Sequence, residues 1–371
     1  SWDGNPWRAR PPDGLHRVTA LGAWAGCEPS GRSQPLELAA TGLPELRERV
    51  AHLVAPAPAL ELRERHVVSR AALDVGIPAT HVEGRVEYEA GDADPARSFT
   101  LLRSQGLSTE AEFLDAVASS PNPDAEVTVF VHGYYNTIGS AVYRHAQIAH
   151  DFALEGPQVT FAWPSAADFR GYVYDRDSID IARDDLEALL VGLARGPRPI
   201  ALVGHSMGSQ LIAETLRQMS IGDDSLALDR LSAVALISPD IDVDLFRSQV
   251  ERMEPLPQPF FVFISQRDRV LGLSARLTNQ RERLGSTSDK ALLTSLGISV
   301  VDLTVLNGRG GNDHFLAASS PASIAILRGL MRTGADLGQG DPTIIDAADL
   351  LAGRTIDALQ APLLPAPDAA P

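Results

Sequence analysis

Five consecutive residues carry the strongest chemical signal in the sequence: Gly204-His205-Ser206-Met207-Gly208. They follow a short apolar run at residues 199–203 and precede a segment, beginning near Ser209, with apolar residues at helical spacing. In a tight turn between a buried strand and a helix, a serine hydroxyl projects from the sheet edge, and glycines leave room for the turn. The pattern predicts that Ser206 is a nucleophile; the alternative is an ordinary glycine-rich turn.

A serine hydroxyl is a poor nucleophile at neutral pH unless a base lies within hydrogen-bonding reach. His314 is the only histidine that follows Ser206 in the sequence, and it lies in a glycine-rich loop after the last predicted strand. In chains with this turn, the usual order is nucleophile, acid, histidine. We therefore predict that His314 is the base; the alternative is a surface histidine in a loop.

The base needs a carboxylate that orients the imidazole and stabilises its charged form. Asp268 follows the apolar run Phe260–Ile264, after the penultimate predicted strand, which is the usual place for this acid. Asp240 and Asp242 follow the preceding run and are alternatives. Asp313 is a weaker one, because adjacent side chains rarely form the required pair. We assign Asp268 as the acid.

An acyl-transfer site also needs two backbone N–H groups for the oxygen on which negative charge develops. Met207 follows the nucleophile and is predicted to supply one of them. The loop after the first central strand begins His132-Gly133-Tyr134-Tyr135, and a His-Gly pair lets the backbone approach the reacting centre. We predict that the Tyr134 amide is the second donor, and that the two tyrosine side chains pack around the pocket mouth.

The elements that must position these residues alternate along the middle of the chain. Segments with apolar residues at spacings of three and four separate six short apolar runs, which lie at residues 127–131, 159–162, 200–203, 233–237, 260–264 and 298–303. Continuous apolar runs are typical of strands that are buried on both faces of a parallel sheet. The pattern predicts an α/β fold with a mostly parallel central sheet, helices on both faces and active loops at the carboxyl ends of the strands.

Composition divides the chain into three parts: an N-terminal arm at residues 1–60, a catalytic domain at 61–335, and a C-terminal helix with an Ala/Pro-rich tail at 336–371. Within these flanks, residues 43–53 and 344–359 are predicted to be helical. The arm carries Arg8, Arg10 and Arg17 before an apolar stretch at 18–26 and Cys27, a pattern that resembles a bacterial lipoprotein leader. The alternatives are therefore an exported lipoprotein and a cytoplasmic protein whose arm holds an idle thiol.

Charge and composition exclude several other classes. The chain has 371 residues with Lys+Arg 32 against Asp+Glu 48, a formal net charge of −16, so a nucleic-acid partner is not expected. No apolar run approaches the roughly 18 residues that span a bilayer, so membrane contact is expected only through Cys27. One cysteine excludes thiolate metal clusters, and His145 and His150 do not share a helix face. We expect no cofactor and no metal.

Several motifs outside the turn occur in a fixed order along the chain. They are Gly76-Ile77-Pro78-Ala79-Thr80-His81-Val82-Glu83-Gly84, Val129-Phe130-Val131-His132-Gly133-Tyr134, Ala162-Trp163-Pro164-Ser165, Gly171-Tyr172-Val173-Tyr174-Asp175-Arg176, Ser238-Pro239-Asp240-Ile241-Asp242, Ser265-Gln266-Arg267-Asp268 and Asp313-His314-Phe315. With the serine turn, they resemble a bacterial branch of the α/β-hydrolase superfamily whose physiological substrate is generally unassigned. The resemblance runs from about residue 65 to about 330.

The resemblance implies an α/β-hydrolase fold and a serine triad of Ser206, Asp268 and His314. The sequence departs from the branch at Tyr135, where asparagine is common, and at residues 138–140, where acidic residues are common. Some members of the branch look like lipoproteins. Trp163 is expected in the core or the pocket wall. Residues 175–177 are expected at a solvated helix start, with a place in the pocket lining as the alternative.

The function expected from the sequence is hydrolysis of a small-molecule carboxylic ester through an acyl-enzyme. One alternative is amidase, peptidase or lipase chemistry with the same triad. Another is a catalytically idle binding protein that is tethered to a membrane through Cys27.

Overall fold

The computed structural model describes residues 15–24, 69–88, 94–168, 170–222, 225–277, 282–306, 314–333 and 342–348. Within these residues, ten strands form one sheet. They are β1 (Leu15–Trp24), β2 (Ser69–Pro78), β3 (Thr100–Leu107), β4 (Val127–Val131), β5 (Gln158–Ala162), β6 (Ile200–His205), β7 (Leu231–Ile237), β8 (Phe260–Ile264), β9 (Ser299–Asp302) and β10 (Ile344–Asp346).

The strand order across the sheet is β10-β9-β8-β7-β6-β4-β5-β1-β2-β3. Neighbours from β10 to β1 pair in parallel, whereas β1 with β2 and β2 with β3 pair antiparallel. The predicted α/β class with a mostly parallel sheet is therefore confirmed. Strands β4 and β6 are central neighbours, with Val131 opposite Gly204, so the loops that follow them lie side by side.

The helices connect successive strands. They are α1 (Glu110–Ala118), α2 (Ile138–Asp151), α3 (Tyr172–Ala194), α4 (Met207–Gly222), α5 (Ser225–Leu228), α6 (Val243–Val250), α7 (Arg269–Leu277), α8 (Lys290–Ser295), α9 (Leu316–Ser319) and α10 (Pro321–Thr333). Polar caps set several of the starts: Thr137 and Ser140 form a reciprocal capping box at α2, and Asp242 accepts the Leu245 N–H at α6. Among the described residues, no helix combines the length and apolar character that a membrane crossing requires.

Apolar side chains cover both faces of the sheet, as continuous apolar strands require. All five residues of β4 are buried. Val129 and Val131 belong to one buried cluster with residues of α3 and α4, whereas Phe130 lies in another with Ile148 of α2. Because successive side chains of a strand point to opposite faces, the helices form a layer on each side of the sheet.

Two terminal segments differ from the sequence prediction. Leu15–Trp24, assigned to the N-terminal arm, is strand β1 and pairs with β2 on one side and β5 on the other. Ile344–Asp346, predicted as the start of a helix, is strand β10 beside β9. Both gain their hydrogen bonds from partners that are distant in sequence, which local spacing does not reveal. Cys27, residues 43–53 and the Ala/Pro-rich tail lie outside the described residues, so the lipid anchor stays a prediction. The apolar stretch of the predicted leader lies largely within β1, where residues 18–24 pair with β2.

Candidate active site

Ser206 lies in the turn between β6 and α4, with a φ of 53°. This left-handed conformation is disfavoured for a residue other than glycine and persists where the surroundings hold it. The surroundings do so on both sides of the residue. The Ser206 N–H donates to the Ile237 carbonyl at 2.9 Å, and the Ser206 carbonyl accepts from the Asp240 and Ser209 N–H groups at 3.1 Å each. The turn therefore has the backbone strain expected of a nucleophile elbow.

Gly208 is required by close backbone approach, and Gly204 lies against the side chain of Ile212. A Cβ on Gly208 would lie 2.3 Å from the His132 carbonyl oxygen, and one on Gly204 would lie 2.7 Å from Cδ1 of Ile212. Each distance is shorter than any ordinary carbon contact. The start of α4 is thus packed directly against the end of β4, which brings the loop after β4 to the elbow.

His314 and Asp268 lie in contact, as the sequence predicts for base and acid. Nδ1 of His314 is 2.8 Å from Oδ2 of Asp268, whose side chain is fully buried. The other carboxylate oxygen, Oδ1, accepts the N–H groups of Val270 and Leu271 at 3.0 and 3.1 Å. The first turn of α7 therefore fixes the Asp268 carboxylate, and that carboxylate sets the orientation of the imidazole.

His205 joins the His314 loop to the elbow. Its Nε2 lies 3.1 Å from the backbone carbonyl of His314, and the two rings have centroids 4.9 Å apart. Burial, followed by the neighbouring His314, lowers the pKa of His205 well below its usual range, so the ring is neutral at physiological pH. A carbonyl only accepts, so Nε2 carries the hydrogen. The residue next to Ser206 thus holds the backbone of the predicted base at the same sheet edge.

The alternative acids have other partners. Oδ1 of Asp240 accepts from Nε of Arg283 and from Oγ of Ser274, both at 2.6 Å, and Arg283 is fully buried. Asp242 is the N-cap of α6. Asp313 lies outside the described residues. Of the described candidates, Asp268 is the acid that contacts His314.

The loop after β4 lies directly over the nucleophile. A Cβ on Gly133 would be 2.8 Å from both Cβ of Ser206 and Nδ1 of His205. Next to it, Tyr134 is half-buried and its ring packs edge-on against that of Tyr172, with centroids 5.5 Å apart. The Tyr134 and Met207 amides therefore lie on the two segments that flank Ser206, as the prediction of the oxyanion hole requires.

Beneath this loop, His132 stacks on Trp163 with ring centroids 4.8 Å apart. Trp163 Nε1 donates to the His132 carbonyl at 2.7 Å, and burial lowers the pKa of His132 to about 4. The neutral His132 ring has one N–H and donates it to one of two carbonyls, that of Gly133 at 2.9 Å from Nδ1 or that of Trp163 at 3.2 Å from Nε2. Trp163 is in the core, as expected.

Sequence reasoning missed the role of Asp175. It was expected at a solvated helix start, yet its exposure is 0% and its carboxylate accepts from Ser165 and Ala166. The signal that could have found this burial is the motif Tyr172-Val173-Tyr174-Asp175-Arg176. Its first residue, Tyr172, is also held inside the protein, where its hydroxyl donates to Oδ2 of Asp240 at 3.0 Å. Burial raises the pKa of Asp175 above its ordinary value, although three hydrogen bonds oppose the shift.

One cluster among the described residues has donor atoms at metal-binding distances: His81, His150 and Asp151 lie within 4.8 Å of one another. Both ring nitrogens of His81 already face carboxylates, Nδ1 with Glu87 at 2.7 Å and Nε2 with Asp151 at 2.9 Å. A metal would have to displace one of these contacts, so the donor set favours an ion pair.

Comparison with known proteins identifies a family. The family model described as "Alpha/beta hydrolase of unknown function (DUF900)" matches residues 107–330, more than half of the chain. A curated relative is the rice (Oryza sativa subsp. japonica) transmembrane and coiled-coil domain-containing protein STS1, 28% identical over 176 residues. The match covers 45% of this chain and 25% of that protein, so the chain spans about a quarter of its relative's length.

Solved structures give more distant likenesses. Esterase B from Lactobacillus rhamnosis aligns with a TM-score of 0.38 and 13% identity, covering 94% of this chain and 91% of that chain. A Pyrobaculum calidifontis esterase aligns with a TM-score of 0.31 and 17% identity, covering 57% and 77%. The family assignment rests on the family model and not on these likenesses.

Proposed function

Because the chain belongs to the family of alpha/beta hydrolases of unknown function (DUF900), we propose that it is a serine hydrolase that cleaves carboxylic esters of small molecules. Membership of this family supports the assignment of the chain as a hydrolase. The ester specificity and the residue roles are inferred from the site.

In this proposal, Oγ of Ser206 attacks the acyl carbon while Nε2 of His314 takes the hydroxyl proton. The carbonyl oxygen becomes an oxyanion, which the Met207 and Tyr134 amides stabilise. The tetrahedral intermediate expels the alcohol, which leaves with the proton from His314, and Ser206 remains acylated. In the second half, His314 takes a proton from water as the water oxygen attacks the acyl carbon, and then returns the proton to Oγ of Ser206, which leaves as the carboxylic acid is released.

The observation that carries the proposal is the 2.8 Å contact between Asp268 and Nδ1 of His314. An ionised carboxylate only accepts, so in this proposal the ring hydrogen is on Nδ1 and Nε2 is the basic atom. Asp268 also stabilises the imidazolium that forms when His314 takes a proton. The chemistry needs no cofactor, and all its groups come from the chain.

The test is turnover of p-nitrophenyl esters from acetate to palmitate, with a p-nitroanilide as the amide probe. Ser206→Ala and His314→Ala should each lose about a thousand-fold or more in kcat/KM. Ser220→Ala, on the same helix α4 and away from the elbow, is the matched control and should keep wild-type rates.

Hydrolysis of the anilide in preference to every ester would replace the ester proposal by an amidase. Full turnover by Ser206→Ala would overturn the serine mechanism. Absence of any turnover and of fluorophosphonate labelling in the folded wild type would favour an idle binding protein.

A further inference from the structure

We propose that Asp175 is a positioning residue, which holds the loop at residues 133–136 in the shape that presents the Tyr134 amide to the oxyanion. The inference rests on the proposed function. It also gives a role to two motifs that the triad leaves unused, Ala162-Trp163-Pro164-Ser165 and Gly171-Tyr172-Val173-Tyr174-Asp175-Arg176.

The Asp175 carboxylate lies in the first turn of α3 and accepts hydrogen bonds from two loops. Oδ2 accepts from Oγ of Ser165 at 2.7 Å, and Oδ1 accepts from the N–H of Ala166 at 2.6 Å. The backbone N–H of Tyr135 also faces the carboxylate and opposes the rise of its pKa. All three donors are neutral, and a buried carboxylate is retained only where its oxygens are hydrogen-bonded. Asp175 therefore ties the loop after β5 to the loop after β4.

The contact with Tyr135 acts on the peptide that follows Tyr134. Nδ2 of Asn136 donates to the Tyr134 carbonyl at 3.0 Å, while the N–H on the other side of the same peptide faces the Asp175 carboxylate. Tyr135 has a φ of 60°, which a non-glycine residue adopts only where its surroundings impose it. The peptide plane on the carboxyl side of Tyr134 is thus held at both of its polar atoms.

The peptide on the other side of Tyr134 is held through its carbonyl. Nδ2 of Asn136 also donates to the Gly133 carbonyl, at 3.1 Å. In a trans peptide the N–H points opposite to the carbonyl, so the Tyr134 N–H is directed away from Asn136. Gly133 itself lies against Ser206, since a Cβ on Gly133 would be 2.8 Å from Cβ of Ser206. The direction of the Tyr134 amide therefore depends on Asn136 and His132 at the Gly133 carbonyl and on Asp175 at the next peptide.

Asp175→Asn would disturb this arrangement with little change of shape. An asparagine has a single acceptor oxygen, and its NH₂ group would face either a backbone N–H, which cannot accept, or the Ser165 hydroxyl, which would have to turn and accept instead of donating. Outright removal of one oxyanion donor costs about 10²–10³-fold in kcat. Because the substitution displaces the donor without removing it, we expect kcat to fall about 10- to 100-fold, with KM within about threefold of wild type.

The experiment measures kcat and KM for a p-nitrophenyl ester together with inhibition by a trifluoromethyl ketone, whose adduct with the serine carries an oxyanion. In Asp175→Asn, the inhibition constant should weaken in parallel with kcat/KM, because both depend on the same donors. Asp177→Asn, an exposed acid in the same helix α3, is the matched control and should leave both quantities unchanged.

Asn136→Leu is the second variant, since it removes the side-chain NH₂ group at a half-buried site without adding a charge and should give the same parallel loss even if Asp175→Asn does not fold. Wild-type kcat and inhibition in a folded variant, or a loss confined to KM, would overturn the role of Asp175. A wild type that hydrolyses no ester would refute the proposed function. The positioning role would then be decided by the rate at which a fluorophosphonate labels Ser206, because negative charge also develops on an oxygen in that reaction. Equal labelling rates in wild type and variants, or no labelling, would overturn the positioning role.

Discussion

The replacement Asp268→Asn should abolish most of the activity without unfolding the protein, because the surroundings dictate which way the new amide points. Oδ1 of Asp268 accepts two N–H groups, from Val270 and Leu271. An asparagine that turned its NH₂ toward them would leave buried donors unsatisfied, at about 1–3 kcal/mol each. Its oxygen must stay there, and its NH₂ must face Nδ1 of His314.

This orientation reverses the tautomer of the imidazole. A ring that accepts a hydrogen bond at Nδ1 carries its own hydrogen on Nε2 and cannot take the proton of Ser206. The same exchange in a serine enzyme with this constellation lowers kcat by about 10⁴-fold, which corresponds to about 5 kcal/mol of transition-state stabilisation. For Asp268→Asn we therefore expect a loss of about 10³- to 10⁴-fold.

The assay is kcat/KM for a p-nitrophenyl ester from pH 5 to 10, with the thermal unfolding midpoint measured on the same samples. Asp242→Asn is the matched control, because asparagine caps a helix as well as aspartate does, and it should stay within about threefold of wild type. A loss of less than tenfold in folded Asp268→Asn would refute the reasoning. A loss in Asp242→Asn larger than that in Asp268→Asn would assign the role of the acid to the loop after β7.

Three further outcomes follow from the described contacts. Asp240→Asn removes the carboxylate charge that lies 2.6 Å from Nε of the fully buried Arg283, so the free energy of unfolding in urea should fall by about 3–5 kcal/mol, and a fall below about 1 kcal/mol would contradict this. Gly133→Ala places a Cβ 2.8 Å from Cβ of Ser206 and should remove most of the esterase activity. The control Gly272→Ala adds a Cβ that meets nothing within 4 Å and should keep the activity. Equal activities in the two variants would show that the loop after β4 is not in close contact with the elbow. Burial alone would lower the pKa of His81, but hydrogen bonds to two carboxylates outweigh it and raise the pKa. Protonated His81 therefore stabilises the folded state fully below about pH 6.5, and this stabilisation is lost as the pH rises through the pKa of the folded state. The thermal unfolding midpoint of the wild type should fall towards alkaline pH, and that of His81→Gln should fall less. Equal pH dependence in the two proteins would exclude this ion pair.

The central strands could be predicted because their signal is local. Val127–Val131 and Phe260–Ile264 are continuous apolar runs, and each forms a strand with those bounds. Strands buried on both faces need no alternation, so composition alone marks them. The turn at Ser206 was equally local, since a strand, a glycine-flanked serine and a helix follow one another directly.

The edge of the sheet and the support of the loops could not be predicted, because both depend on distant partners. Strand β1 pairs with β2, about 50 residues further along the chain, and lies in a Pro- and Gly-rich stretch without clear alternation. Asp175 has the type and position of a solvated acid at a helix start, and its burial comes from the loops around Tyr135 and Ser165. Neither loop can be placed until the order of the strands is known.

Reaction of the folded protein with a fluorophosphonate probe, followed by mass mapping of the modified peptide, tests the central claim most directly. The account predicts one covalent adduct on Ser206, absent in Ser206→Ala and strongly slowed in His314→Ala. An adduct on a different serine, or no adduct on folded wild-type protein, would contradict it.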